Sequence, residues 1–430
     1  MRSLWERDAE LPEHPVLDGE LRTDVLVIGG GLAGLLTAWE LKAAGVDVVL
    51  VEKDRVCSHT TAHTTAKLTA QHGLCYQKLL GSMGAERAKG YYRANMEAVE
   101  ALKGLCRRFG VPVEEKDNFV YSGSRQRLGA ELEAMHRLGI PAIFDEAPPL
   151  PLSTAGAVGI SGQAQFHPLK LAANLSGKLS IYEHTKVQAL IGTTAVTAHG
   201  RIRAEKIVVA THFPFLNKHG SYFLKLYQHR SYLLALENAA RLGAMYVDDD
   251  QKGMSFSSFG DILLLGGGGH RTGKQGGGWR ELREFTESRW PRARELGHWA
   301  AQDTMSLDGV PYIGPYSRRT EGLYVAAGFN KWGMTGSMVS ARLLTDLLTG
   351  KGNDFAELFS PSRSILKPQL FLNCAETTAN FLIPTTKRCP HLGCALRYNP
   401  QEHSWDCSCH GSRFSELGRV LDNPANGDLN

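Results

Sequence analysis

A glycine-rich turn between a short apolar strand and a helix constrains this chain more than any other feature. The predicted strand Val25–Ile28 runs into Gly29–Gly34, which fits the pattern G-x-G-x-x-G. A helix is predicted over 32–44, and a second apolar strand, Val48–Val51, ends at Glu52. In this context the glycines let a pyrophosphate approach the helix N-terminus, and the acid can accept hydrogen bonds from ribose hydroxyls. The unit predicts a dinucleotide-binding α/β fold; the alternative is a Gly-rich turn in an unrelated α/β fold.

A second glycine-rich stretch, Ile262–Gly269, matches the G-x-G-x-x-G pattern less well. Arg271 stands where the third glycine of a dinucleotide motif would be needed. We therefore predict a strand followed by a glycine-rich loop. The alternative is a second dinucleotide site, which would indicate NAD(P)H as an electron donor.

The last part of the chain concentrates cysteine and histidine. Four of the eight cysteines lie in two short loops, Cys389-Pro390-His391-Leu392-Gly393-Cys394 and Cys407-Ser408-Cys409-His410-Gly411-Ser412. In a cytosolic chain such clustering indicates a metal site before it indicates a disulfide scaffold. One Cys and one His from each loop suit a [2Fe–2S] cluster with two thiolate and two imidazole ligands. The alternative is a zinc site, although zinc ribbons usually use C-x₂-C pairs; its ligands would be Cys389, Cys394, Cys407 and His410.

Separated blocks from Asp24 to Gly350 resemble the flavin-dependent amine and D-amino-acid oxidoreductases, the family of D-amino-acid oxidase, glycine oxidase and sarcosine oxidase. Besides the first glycine motif, the blocks are Ser58–Thr69, Lys186-Val187, Val209-Ala210-Thr211, Asp308–Gly314 and Gly328–Thr335. The resemblance implies an α/β fold, with an FAD-binding Rossmann-like domain interleaved with an α+β substrate domain. It implies that FAD is held by Gly29, Gly31, Leu32, Ala33, Gly34, Glu52, Lys53, Thr64, Thr65, Val187, Ala210, Thr211, Gly328, Phe329, Trp332, Gly333, Met334 and Thr335.

The two tail loops closely resemble those of Rieske [2Fe–2S] proteins, down to the second Cys in each loop. The resemblance implies that one iron is bound by Cys389 and Cys407 and the other by His391 and His410. His403, between the loops, is predicted to be solvated. The domain is expected to be all-β and abbreviated, because only about twenty residues separate the first loop from Lys367-Pro368. We therefore expect it to lean on the flavoprotein for support.

The remaining tail cysteines and a serine carry further expectations from this resemblance. In Rieske proteins of respiratory and photosynthetic chains the cysteines at these positions form a disulfide, which predicts a Cys394–Cys409 bond here. Two buried free thiols are the alternative, because disulfides are unusual in the cytosol. Ser412 stands where relatives donate a hydrogen bond to a cluster sulfur. Phe414 replaces a Tyr that often adds a second bond, so we expect a lower reduction potential than in the respiratory type.

Candidate catalytic residues also come from the flavoprotein resemblance. The family usually binds a substrate carboxylate with Arg, whose fork matches two oxygens. Arg230 is the candidate, with Tyr232 and Lys331 behind it. A surface salt bridge is the alternative role for Arg230. Lys67 is predicted to approach either the flavin or a phosphate, and no catalytic base stands out.

Length and composition set the domain organisation and exclude some partners. The 430 residues divide into an oxidoreductase at 1–362, a linker at 363–375 and a Rieske domain at 376–430. Within the first unit we predict dinucleotide-binding parts at about 22–80, 180–215 and 305–350, and substrate-domain parts at about 81–179 and 216–304. A net charge of +4 gives no reason to expect nucleic acid. No apolar run suits a membrane span, and the start is no secretory signal, so a cytoplasmic location is expected.

The two cofactor sites together suggest a function. A flavin accepts two electrons as a hydride, whereas a [2Fe–2S] cluster carries one at a time. The fusion resembles a bacterial group of flavin oxidoreductases with a C-terminal Rieske domain. We expect oxidation of a C–N bond in a small amine or amino acid, with electrons passing through the cluster to a one-electron acceptor or donor protein. The alternatives are an electron-transfer reductase driven by NAD(P)H or ferredoxin, and a non-enzymatic redox-sensing module.

Overall fold

The computed structural model describes residues 2–216 and 219–429, which fold into two large sheets, one small sheet and the helices around them. The strands are β1 (Gly19–Ile28), β2 (Val48–Val51), β3 (Lys67–Leu68), β4 (Val113–Tyr121), β5 (Ala142–Asp145), β6 (Ala157–Phe166), β7 (Ser180–Tyr182), β8 (Ala189–Ile191), β9 (Thr194–Val196), β10 (Gly200–Val209), β11 (Leu226–Glu237), β12 (Met245–Asp248), β13 (Ser255–Phe259), β14 (Ile262–Arg271), β15 (Arg294–Ser306), β16 (Tyr312–Pro315), β17 (Leu323–Ala327), β18 (Leu396–Asn399), β19 (Ser404–Cys407), β20 (Arg413–Ser415) and β21 (Val420–Asp422). The helices are α1 (Leu32–Ala43), α2 (Tyr76–Met83), α3 (Ala85–Arg108), α4 (Arg125–Arg137), α5 (Pro168–Ser176), α6 (Tyr222–Lys225), α7 (Gly278–Arg289), α8 (Gly333–Leu348), α9 (Ala356–Phe359) and α10 (Pro368–Phe381).

The first large sheet carries the predicted glycine motif. Its main strand order is β16-β17-β10-β1-β2-β7, with the β8–β9 hairpin attached to β10. The strands β10, β1, β2 and β7 are parallel neighbours, and all four residues of Val48–Val51 are buried. Such continuous apolar runs are typical of parallel strands covered on both faces. A Cβ on Gly34 would overlap the carbonyl of Gly29, so only glycine lets α1 pack directly against the turn.

The second large sheet forms the other half of the flavoprotein. Its main order is β15-β11-β14-β13-β12-β4-β6-β3, with β5 paired to β6. The predicted glycine-rich loop after Ile262 is wrong: Ile262–Arg271 is one strand between β11 and β13. Gly268 has φ +59°, and a Cβ on it would lie 2.5 Å from the carbonyl oxygen of Gly278. Close approach of the α7 start therefore explains a glycine here, and the stretch does not form a dinucleotide turn.

The small sheet is an antiparallel meander in the order β18-β19-β20-β21, as expected for an abbreviated all-β domain. The segment predicted as a linker, 363–375, contains the first half of α10. This helix buries polar side chains against the rest of the molecule: Asn380 donates to the Ser408 hydroxyl, and Arg271 Nη1 donates to Asn373 Oδ1 at 2.9 Å. The helix therefore joins the flavoprotein to a cluster loop, and the domain limits stated above remain our proposal.

A network of buried charges holds the small domain together and attaches it to the flavoprotein. Arg413 on β20 pairs with Glu402 at 2.9 Å, Asp406 at 3.1 Å and Asp422 at 3.0 Å. Arg230 on β11 binds the same Glu402 carboxylate from the flavoprotein side, with Nε 2.8 Å from Oε1. Because ions out of water need partners, these pairs fix how the two domains meet. No helix in the two described ranges combines the length and hydropathy of a bilayer-crossing segment.

We expect Arg413→Met to destabilise the small domain by about 3–5 kcal/mol, because it leaves buried carboxylates without their main partner. Thermal unfolding followed by circular dichroism and by visible absorbance of the cluster measures the change. Arg419→Met, at an exposed position on the same domain, is the matched control. Equal unfolding temperatures for the two variants would show that the network contributes no stability.

Candidate functional site

A pocket of about 200 Å³ lies at the carboxyl edge of the first sheet, where the predicted glycine motif ends β1. Gly31 is the N-cap of α1, and as a glycine it has no side chain with which to cap the helix. A Cβ on Gly31 would meet only Thr61 Oγ1, at 3.6 Å, so there is open space in front of the helix N-terminus. This arrangement fits a pyrophosphate, which the backbone amides and the helix dipole favour.

Most residues predicted to hold the dinucleotide line this pocket. The carboxylate of Glu52 reaches it while accepting from the amides of Gly30 at 2.6 Å and Asp54 at 3.0 Å. Its remaining lone pairs can accept from ribose hydroxyls. The predicted residues in the wall are Gly29, Gly31, Leu32, Ala33, Glu52, Lys53, Val187, Ala210, Thr211, Phe329, Gly333 and Met334.

Three predicted FAD residues lie outside both cavities. Gly34 packs against the Gly29 carbonyl, and Gly328 lies beside Leu226. Thr335 Oγ1 exchanges hydrogen bonds with the backbone of Thr69, at 3.1 and 3.0 Å. These three residues shape the walls from behind, and direct contact with FAD stays a prediction for them.

A second cavity, of about 410 Å³, adjoins the first and shares Thr60, Gly333 and Met334 with it. Its wall holds the other predicted FAD residues, Thr64, Thr65 and Trp332, and the predicted catalytic residues Tyr232 and Lys331. Lys67 also lines this cavity and not the pyrophosphate side, which favours the flavin among its two predicted positions. The paired cavities therefore suit an elongated dinucleotide.

Three ionisable side chains give the larger cavity its electrostatic character. Burial raises the pKa of the Asp303 carboxyl to about 6, against the opposing effect of Lys331 and Arg230. Burial lowers the pKa of Lys67 to about 7, and it also lowers the pKa of Lys331, whose Nζ donates to the Gln251 carbonyl at 3.2 Å. Asp303 and Lys67 can therefore exchange protons near neutral pH. Sequence reasoning missed Asp303, because only the pairing of β15 with β11 places it in the cavity.

Arg230 lines neither of the two cavities. Its guanidinium binds the Glu402 carboxylate through both Nε and Nη2, and both side chains are less than a tenth exposed. Arg230 therefore forms a salt bridge. The pair is buried against the small domain and does not lie on the surface. Tyr232 Oη lies 3.1 Å from both Glu402 Oε1 and His270 Nε2, so it joins this pair to the cavity wall.

The two Cys/His loops share one backbone geometry. In the first, Cys389 N donates to the Cys394 carbonyl and Gly393 N donates to the Cys389 carbonyl, both at 2.8 Å. In the second, Cys407 N donates to the Ser412 carbonyl and Gly411 N donates to the Cys407 carbonyl, both at 2.9 Å. The two glycines have φ +79° and +85°, which favours glycine in a tight turn. Two matching turns of this kind present their thiols toward a common centre.

The side chains at that centre fit two thiolate and two imidazole ligands. The Cys389 and Cys407 thiols are buried and in contact with each other. The rings of His391 and His410 lie 4.9 Å apart, and His410 Nδ1 is buried with no hydrogen-bond partner among the described residues. A nitrogen left in this state is explained by a metal ligand role. The Ser412 hydroxyl bonds to Cys389, as expected of a cluster-sulfur donor, while Phe414 is fully buried.

The predicted Cys394–Cys409 disulfide is not formed. Both residues are buried free thiols, and their sulfur atoms lie within 4.8 Å of each other and of Cys407 Sγ. The alternative of two buried thiols therefore describes this structure. His403 is exposed and lies 3.2 Å from Glu416, as expected for a solvated side chain.

Comparison with known proteins agrees with both sites. The family model described as FAD dependent oxidoreductase matches residues 24–347. The chain belongs to this family. A Rieske [2Fe-2S] domain model matches residues 372–430. FAD and a Rieske [2Fe–2S] cluster are therefore its cofactors, which overrules the zinc alternative.

One relative matches nearly the whole chain, and others match about four fifths of it. YhfW of Bacillus subtilis, named for a Rieske 2Fe-2S iron-sulfur protein, is 33% identical over 98% of this chain and 96% of its own length. Glycine oxidase of Pseudomonas aeruginosa is 25% identical over 76% of this chain and 95% of its own. Glycine oxidase from Geobacillus kaustophilus has the same fold, with a TM-score of 0.67, 22% identity, and 80% and 99% of the two chains covered. L-proline dehydrogenase from P. horikoshii also reaches 0.67, with 18% identity and 81% and 98% coverage.

The Arg230–Glu402 pair makes a direct prediction. We expect Arg230→Met and Glu402→Gln each to loosen the small domain, since each leaves a buried charge or acceptor without its partner, at a cost of about 3–5 kcal/mol. Limited proteolysis and thermal unfolding measure this, and the double variant should cost less than the sum of the two. If Arg230 served only a substrate carboxylate, Arg230→Met would leave domain attachment unchanged and the two effects would add.

Proposed function

We propose that this protein oxidises the C–N bond of a small amine or amino acid and passes the electrons from FAD to its own Rieske cluster, then to a one-electron partner protein. One observation carries the proposal: the cluster histidines lie against the wall of the FAD site. Phe213 is in ring contact with both His391, at 6.4 Å between centroids, and His410, at 6.5 Å. The residues just before it, Thr211 and His212, line the dinucleotide pocket.

The larger cavity favours an enzyme over a redox sensor. A sensor needs no open space beside the flavin, whereas the cavity of about 410 Å³ gives room for a small substrate. Its wall offers a carboxyl group at Asp303 and an ammonium group at Lys331. An amino acid or small amine has the complementary charges. A reductase driven by NAD(P)H has less support, because β14 occupies the stretch that a second nucleotide site would need.

The chemistry proposed balances two electrons against two single transfers. The substrate ammonium group loses one proton and the adjacent carbon loses a hydride, which leaves an iminium ion that water hydrolyses to a carbonyl compound and ammonium or a protonated amine. Bound FAD supplies the two-electron acceptor, and the cluster carries the electrons onward singly. Lys331 and Asp303 orient the substrate, and Asp303 takes the proton from a substrate ammonium group.

The exposure of the two cluster loops suggests where electrons leave. The second loop is buried from Cys407 to Ser412, against the flavoprotein. The first loop reaches solvent at Pro390 and Leu392. A partner would therefore meet the cluster from the side of the first loop.

An anaerobic substrate panel tests the proposal. D-amino acids, N-methyl amino acids and polyamines are mixed with the oxidised holoprotein, while flavin absorbance and the EPR signal of the reduced cluster are recorded. We expect at least one compound to bleach the flavin, with the cluster signal following. Flavin reduction by NADH alone would instead support the reductase, and no bleaching by any amine would overturn C–N oxidation.

The contact at Phe213 gives a sharper test of the electron route. Phe213→Ala is expected to slow cluster reduction after substrate is added, because it opens a gap between the FAD site and the ligands His391 and His410. Flavin bleaching by substrate and cluster reduction by dithionite should stay at wild-type rates. The control for loss of an aromatic side chain is Phe285→Ala. Phe285 lies on α7 and its ring contacts Phe256 of the second sheet. Unchanged cluster reduction in Phe213→Ala would contradict this route.

The raised pKa of Asp303 sets a pH dependence. Below about pH 6 the carboxyl is protonated and cannot accept the substrate proton; above it, the carboxylate can. Flavin bleaching at saturating substrate should therefore rise as the pH increases through about 6. In Asp303→Asn the rate should be lower, and it should not rise as the pH increases through about 6. A rise that persists unchanged in the variant would assign the titration to another group.

A further inference from the structure

A stretch near the end of the small domain forms part of the wall around the dinucleotide pocket. This segment, Val420–Asn426, is called the tail segment below. The pocket is lined on one side by the β1–α1 turn and on the other by Val420, Leu421, Asp422, Asn423, Ala425 and Asn426. A segment of the Rieske domain therefore borders the part of the pocket in which the adenosine and pyrophosphate half of FAD would bind.

Hydrogen bonds fix the tail segment to the FAD domain. Asn423 Nδ2 donates to the carbonyls of Thr211 and Phe213, both at 2.8 Å, and Gln228 Nε2 donates to the Asn423 carbonyl at 3.0 Å. Lys186 Nζ donates to the Asn426 carbonyl at 2.6 Å. Lys186 and Val187, which is predicted to hold FAD, both line the dinucleotide pocket, so this last bond ties the segment to that wall.

A further bond ties the tail segment to the cluster. Ala425 N donates to the Ser412 hydroxyl at 3.0 Å, and Ser412 closes the loop that carries Cys407 and His410. The position of the tail segment over the pocket therefore depends on the conformation of a cluster loop. The carboxylate of Asp422 in the same segment is paired with Arg413 at 3.0 Å, which offsets its charge beside an anionic ligand.

We propose that the tail segment is a binding element for FAD supplied by the Rieske domain, and that it couples the two cofactors. With the cluster in place, the second loop holds Ser412 and thereby the tail segment over the dinucleotide. Without the cluster, the loop loses the ligand bonds that order it and the segment no longer closes the pocket. Because coupling is reciprocal, bound FAD equally favours the docked domain and slows loss of the cluster. The inference needs both cofactors but not the direction of electron flow.

The first test measures FAD release from the full-length holoprotein. Asn423→Ala removes two hydrogen bonds that hold the tail segment and leaves the β1–α1 turn intact. We expect about tenfold faster FAD release, followed by the rise of FAD fluorescence after dilution. Leu417→Ala, at a side chain that is 87% exposed on the same domain, should match the wild type. Release from Asn423→Ala at the wild-type rate, in a folded protein with a full cluster, would overturn the proposal.

The second test addresses the coupling and covers the case in which Asn423→Ala fails to fold. FAD release is compared before and after iron is removed from the wild type with a chelator, and cluster loss is compared with and without bound FAD. Both should accelerate when the other cofactor is absent. Ser412→Ala, which keeps the tail segment unchanged but removes its anchor, should also speed FAD release. Rates independent of the other cofactor would show that the two sites are not coupled.

Discussion

The carboxylate of Glu402 is where the two halves of this molecule meet, and much of the architecture follows from keeping it paired. It is buried between Arg230 of the flavoprotein and Arg413 of the small domain. Loss of either arginine would remove part of the positive charge that compensates this buried carboxylate. The small domain has four short strands, a core too small to stand easily alone. It is held in one orientation because its charges need the flavoprotein.

That orientation decides what the two cofactors can do for each other. The docking brings one histidine ring from each cluster loop, His391 from the first and His410 from the second, into contact with Phe213, which follows directly on the dinucleotide pocket. The same docking brings Asn423 to the carbonyls of Thr211 and Phe213. One short stretch after β10 therefore serves both the FAD site and the cluster side. The electron route proposed above would then need no domain movement, and a gap in this stretch would affect both sites.

What could be predicted from the sequence was local. The β1–α1–β2 unit and the two cluster loops are each written in a short run of residues, where glycine spacing and ligand spacing have a direct physical meaning. The role of Arg230 could not be read in this way, because its partner lies 172 residues further along the chain. Asp303 and the tail segment were missed for the same reason. The glycines of β14 led to the wrong prediction of a loop. Glycine is required both where α7 approaches closely and in a turn, so the sequence pattern does not distinguish the two.

Two glycines show that the flavoprotein surface is shaped for this particular neighbour. Gly273 follows β14 and has φ +75°, and a Cβ there would lie 2.5 Å from the amide of Ser408 in the second cluster loop. Gly411, with φ +85°, stands in the same relation to Gln228 on β11. A domain joined only by a flexible tether would not need such contacts on either side. Each surface lacks a side chain where the other comes closest, so the flavoprotein and the Rieske domain are best understood as one structural unit with two redox centres.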